Sequence, residues 1–127
     1  MPPQPRSTGV VTIERYQRLP TEAAMQDAII EAVAARHGRT WHLRDARQAP
    51  ELVDLPDLLI LLPNTAMMLE VKSQRRIITP GQLSVADLLG RCDRFVGGIV
   101  RPVPKHDGEM SYSDVIELIE RIEEDAA

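Results

Sequence analysis

Apolar positions along this chain switch between helical and strand periods, and the switches outline a fold. Met25, Ile29 and Val33 recur at helical spacing in a segment that Leu19-Pro20-Thr21 opens and that ends at about His37, with Gly38 as the stop. A short strand is expected around Thr40–Leu43, followed by a polar loop from Arg44 to Asp54. Residues 57–62 and 66–72 are almost continuous hydrocarbon, and Pro63-Asn64-Thr65 between them is a turn signal, so they read as a β-hairpin. Thr79-Pro80 starts a second helix that runs to about Leu89, with Thr as cap and Pro at the first helical position. Phe95–Val100 reads as another strand. Ser111-Tyr112-Ser113-Asp114 caps a last helix whose Val115, Leu118, Ile119 and Ile122 keep the i, i+3, i+4, i+7 pattern. The expected class is α/β in the order α-β-β-β-α-β-α. Residues 1–18 hold three of the ten prolines and no periodicity, and are expected to form a flexible arm before one domain spanning 19–127.

The polar exceptions inside this pattern carry the chemistry. Asp57, Glu70 and Lys72 sit in the apolar hairpin, where a charge is costly unless it is paired or binds a metal. Side chains alternate across a strand, so Glu70 and Lys72 share a face and Val71 points to the other. If the hairpin turns about Asn64 and Thr65, Asp57 stands opposite Lys72. Glu70 is then its diagonal neighbour on the same face at roughly 7–8 Å, close enough for two carboxylates to reach one cation. A one-residue slip in register would send Asp57 to the opposite face. On the first helix, Glu22 and Gln26 fall within about 60° of the stripe formed by Met25, Ile29 and Val33. Glu31 and Asp27 point away. Glu22 has a simpler reading too: an acid in a first turn favours the helix dipole while remaining wet.

Composition alters this picture little. At 127 residues the chain can bury one core, and its 43% hydrophobic and 27% charged residues are ordinary for a globular protein. No apolar run approaches the roughly 20 residues that span a bilayer, and there is no signal-peptide pattern. With its single cysteine, Cys92, the chain can form no internal disulfide; the expectations are a cytoplasmic protein, no membrane, and a cysteine in the core. Net charge is −4, but the segment from Asp114 onward has six acids and one base, giving −5 and leaving +1 for the rest. Bases gather at Arg36, Arg39, Arg44 and Arg47, and again at Lys72, Arg75 and Arg76. Such patches suit phosphate binding, and also suit a plain solvated surface.

Other residues have two readings. Thr79-x-x-Gln82 is a capping box, which accounts for Gln82 by local physics alone. His37, His42 and His106 lack metal-ligand spacing and read as surface or cap residues. Trp41, one of four aromatics, reads as a core anchor rather than a base-stacking platform.

Pro56-Asp57, twelve intervening residues and then Glu70-Val71-Lys72 on a hairpin strand together resemble the PD-(D/E)XK nuclease superfamily. Glu22-x-x-x-Gln26 early in the first helix, Gln82 opening the helix after the hairpin, and Asp114-Val115 in the last helix make the pattern similar to the VRR-NUC (virus-type replication-repair nuclease) branch. That resemblance covers residues 21 to about 122. It implies a restriction-endonuclease-like core: a mixed sheet with the catalytic hairpin, flanked by helices. One departure stands out. The family places a glycine just before Pro-Asp, where this chain has Asp54-Leu55.

The resemblance further implies a metal-dependent DNA endonuclease. Asp57 and Glu70 would hold Mg²⁺ or Mn²⁺, with Glu22 as a third acid and the Val71 backbone carbonyl as a further ligand. Oxygen-only ligation suits those ions. Lys72 would orient or deprotonate the attacking water or balance charge on the phosphate, and Gln82 would position Lys72 or the phosphate. Gln26, Arg44, Arg47, Arg75 and Arg76 are the expected DNA contacts. Lone domains of this kind are associated with flap or Holliday-junction DNA in bacterial and phage systems, often as homodimers, and two symmetric cuts on a four-way junction favour a two-fold dimer. Two other readings stand beside this one: a non-catalytic DNA- or protein-binding module on the same fold, and a structural partner that docks through the acidic helix 114–125.

Overall fold

The computed structural model describes residues 19–43 and 49–126; the expected arm at 1–18, together with Arg44 and Arg47, lies outside the described residues. Helix α1 (Glu22–Ala35) starts where expected, the Thr21 side chain accepting from the Ala24 amide at 3.1 Å. Its end corrects the expectation for Gly38. The left-handed residue is His37 (φ 61°), and the amides of His37 and Gly38 return to the carbonyls of Ala34 and Val33. Gly38 serves a different purpose: a Cβ there would lie 2.7 Å from the carbonyl oxygen of Leu61 and from Val33 Cγ1. The helix packs onto the hairpin through that gap.

Five strands follow the order β1 (Arg39–His42), β2 (Leu58–Leu62), β3 (Thr65–Val71), β4 (Phe95–Arg101) and β5 (Met110–Ser111) across one sheet. β1, β2 and β3 are antiparallel neighbours, while β4 and β5 run parallel to β3 and β4 respectively. A parallel β3–β4 pair requires a crossover, and helix α2 (Pro80–Gly90) supplies it. This is a mixed sheet with flanking helices, in the expected α/β class. The two-residue β5 is an addition, too short to leave a period in the sequence.

Alternation sorts the sheet into two faces. Leu58, Ile60 and Leu62 of β2, Met67, Leu69 and Val71 of β3, and Val100 of β4 form the core with Met25, Ile29 and Val33 of α1. Helix α3 (Tyr112–Ala126) closes it with Val115, Ile119 and Ile122, its start capped by Ser111 Oγ accepting from the Asp114 amide. The opposite face carries Glu70, Lys72, Ile99 and Arg101, and α2 lies over β3 and β4 on that side.

Two small expectations fail here. Cys92 is exposed, in the turn after α2, where no core is available to take it. Trp41 is half-buried on the edge strand β1 and outside the core cluster, with the Arg39 guanidinium 4.8 Å above its ring.

Candidate active site

The hairpin register differs from the expected one. Leu62 pairs with Thr65 and Leu58 with Leu69, so Pro63 and Asn64 alone make the turn. Continuing that ladder by one residue sets Asp57 opposite Glu70 rather than Lys72. The shift is two residues on the partner strand, so the face is preserved. Asp57 lies just beyond the start of β2, where its carbonyl still accepts from the Leu43 amide at 2.8 Å. Its Oδ2 accepts from the Val71 amide at 3.1 Å and from Gln26 Nε2 at 3.4 Å. The carboxylate thus replaces the missing strand partner at the end of β3, and the first helix holds it from the other side.

Glu70 and Lys72 are 4% and 5% exposed. Lys72 Nζ stands 3.3 Å from Glu70 Oε1, which also accepts from Gln82 Nε2 at 3.0 Å. Gln82 has both of its expected roles. Its Oε1 accepts from the Thr79 amide at 3.1 Å and Thr79 Oγ1 accepts from the Gln82 amide at 3.1 Å, completing the capping box. The Thr79 N–H can bond only to an acceptor, so the amide oxygen faces the cap and the NH₂ must face Glu70.

Glu22 is not simply wet. Its Oε1 accepts from the Ser73 amide at 3.0 Å and lies 3.6 Å from Arg76 Nε. It therefore binds the loop after β3, through Ser73 and Arg76. Among the described residues no group of three or more His, Cys, Asp or Glu side chains is placed to hold a metal ion. The two carboxylates at the end of β3, with the backbone between them, are what the structure brings together. Arg75 and Arg76 are exposed on the following turn.

A second network, absent from the sequence reading, shapes that turn. Arg101 is 1% exposed; its Nε donates to Glu109 Oε1 and Oε2 at 3.0 and 3.1 Å, and its Nη1 donates to the carbonyls of Ser73 and Arg76 at 2.9 and 2.8 Å. Glu109 Oε1 in turn accepts from the amides of Lys105 and His106. Buried Gln74 exchanges two hydrogen bonds of 2.9 Å with the backbone of Val103. Strand parity places Arg101 on Glu70's side of the sheet, which is a signal in the sequence. Nothing in the spacing announced its partner Glu109.

No family model matches the chain, and no curated protein matches it. A solved structure described as a VRR_NUC domain superposes on it with a TM-score of 0.55 at 23% identity, covering 80% of this chain and 97% of the other. The chain has the fold of a VRR_NUC domain. On that fold the hairpin β2–β3 with Asp57, Glu70 and Lys72 lies at the centre of the sheet, between α1 and the N-terminus of α2. None of the helices among the described residues is long and apolar enough to cross a membrane.

Proposed function

We propose that this chain is a VRR-NUC nuclease domain that hydrolyses phosphodiester bonds in DNA with a divalent metal. The observation that carries the reading is the pairing of Glu70 and Lys72 in a nearly solvent-free position, one residue either side of an amide that holds the Asp57 carboxylate. A buried ion pair contributes little net stability, so its presence at a strand end points to chemistry.

The donor set suits Mg²⁺ or Mn²⁺. Asp57 and Glu70 offer carboxylate oxygens, and the Val71 carbonyl points to the same strand edge as the Val71 amide that Asp57 accepts. A site with one or two carboxylates is normal for Mg²⁺, which completes its shell with water and substrate phosphate. Held by Asp57, Glu70 and the Val71 carbonyl, such an ion would supply Lewis acidity toward the scissile phosphate and a more acidic water. The chain's own groups do the rest. Gln82 fixes the Glu70 carboxylate, Gln26 and the Val71 amide fix that of Asp57, and Glu22 holds the loop at Ser73. The Lys72 ammonium orients the attacking water or donates to the phosphate oxygen as negative charge builds there. Arg75 and Arg76 grip the flanking backbone; Arg44 and Arg47 stay among the proposed DNA contacts.

The substrate class proposed is branched DNA, flap or four-way junction, cut by a symmetric homodimer in a bacterial or phage-infected cytoplasm. Cleavage of branched DNA in Mg²⁺ by the wild type, Asp57→Asn and Lys72→Ala tests the assignment. The expected loss is about a hundredfold or more for each variant; equal activity in all three sinks it. Among the described residues no third acid completes a metal-holding group with Asp57 and Glu70, which favours a non-catalytic DNA-binding module as the second reading. Calorimetric titration with Mg²⁺ or Mn²⁺ separates the two, since the module would take up no metal.

A further inference from the structure

The loop after β3 is held more firmly than a connection needs to be. Arg101 binds the carbonyls at both ends of the Ser73–Arg76 turn, Gln74 is doubly bonded to Val103, and the Ser73 amide donates to Glu22. Directly after this clamp comes Ile77, 85% exposed and the most exposed large hydrophobic among the described residues. A single exposed isoleucine is unremarkable on a protein surface. This one is continuous with Ile78 and Leu83 along a cleft of about 350 Å³, lined also by Arg76, Lys105, His106 and the Glu109-paired Arg101. No acidic side chain lines it among the described residues. That size lies at the low end of the roughly 300–1,000 Å³ usual for small-ligand sites.

A lining of hydrocarbon and cationic side chains matches a nucleotide, which has an apolar base face and an anionic phosphate. The cleft also adjoins the active site at two points. Arg76 both lines it and lies 3.6 Å from Glu22, while Leu83 follows Gln82, the residue that holds Glu70. We propose that Ile77 is a wedge that unstacks DNA beside the cleaved phosphate, and that the cleft behind it receives the displaced nucleotide. The inference rests on the nuclease reading above and deepens it: the preference for branched DNA comes from an apolar side chain presented on a rigid, arginine-flanked turn. Wedges of this kind part base steps where stacking is already weak, as at a flap or junction.

The test uses the full chain carrying Asp57→Asn, so that DNA is bound and not cut. The DNA is a flap duplex with 2-aminopurine next to the expected scissile phosphate. Binding should raise the probe's fluorescence severalfold. Adding Ile77→Ser should abolish the rise while leaving thermal stability unchanged, since the side chain is in water, and Ile77→Leu should restore it. Lys105→Glu should weaken binding of the flap substrate more than that of a linear duplex of the same length. An undiminished fluorescence rise with Ile77→Ser overturns the wedge. So does a change from dimer to monomer in sedimentation with no change in fluorescence, which would assign the face to a second copy of the chain. Failure to bind any DNA would instead sink the nuclease reading itself; DNA that is bound, and cut by the wild type, with its bases still stacked sinks only the wedge.

Discussion

Gln82 donates to Glu70 across 3.0 Å with one end of its amide while the other end caps its own helix. One side chain therefore ties the start of α2 to the buried carboxylate, and any tilt of the helix is felt at the site.

Two substitutions separate these roles. Gln82→Ala removes both bonds and should cost about 1 kcal/mol of stability through the lost cap. Gln82→Glu keeps an acceptor for the Thr79 amide but sets a second carboxylate against Glu70, where it competes for Lys72. Cleavage should therefore fall further with Gln82→Glu than with Gln82→Ala, although the helix start is better preserved. If Gln82 were a cap alone, the order of activities measured on the same DNA would reverse.

Asp54, two residues before Pro56-Asp57, occupies space that a side chain at position 81 would need: a Cβ on Gly81 would collide with its carboxyl group. The acid also sits at the N-terminus of α2, where negative charge is favoured. Gly81→Ala forces the Asp54 carboxyl, the far end of its side chain, to swing aside, so it should stabilise by less than the helix propensity of alanine alone would give. In an Asp54→Gly background the same change should stabilise by up to about 1 kcal/mol, because alanine is the better helix former. Urea denaturation of the four chains reads the difference between the two backgrounds. An equal effect in both would mean that the two positions are not coupled.

The parts of the fold that were legible in sequence are those governed by local rules. The stripe of Met25, Ile29 and Val33, the Thr79–Gln82 capping box and the shared face of Asp57 and Glu70 each follow from period or short-range bonding. The hairpin pairing was missed by two residues because Pro63 and Asn64 close the turn without Thr65, which joins the strand. Parity survived that error and the exact partner did not. Arg101 lies just past the expected strand Phe95–Val100; its burial depends on Glu109 and on the carbonyls of Ser73 and Arg76, a tertiary arrangement that no spacing encodes.

Removal of either member of that pair should be severe. Arg101→Ala leaves the Glu109 carboxylate buried and frees the carbonyls of Ser73 and Arg76, at an expected cost of about 3–5 kcal/mol. Ordinary buried ion pairs can be replaced by two apolar residues without loss. Here each partner also satisfies two backbone groups, so Arg101→Met with Glu109→Leu should remain clearly less stable than wild type. A double variant as stable as the parent in urea would reduce the network to a simple pair.

Lys72 and a bound cation compete for the same carboxylate. The ammonium stands 3.3 Å from Glu70 Oε1, so it neutralises the acid that the proposed metal requires. At a Mg²⁺ concentration about tenfold above its dissociation constant, the wild type should gain about 1.4 kcal/mol, a rise of about 4–8 °C in Tm. Asp57→Asn should lose that rise. Lys72→Met should show the opposite divergence: it removes a positive charge beside Glu70, so the Tm should respond at lower Mg²⁺ than in wild type while DNA cleavage is abolished. Tighter metal binding with no catalysis would identify Lys72 as a group that acts on water or phosphate. Weaker binding in Lys72→Met would mean that the lysine instead holds Glu70 in place for the ion, and its catalytic assignment would fail.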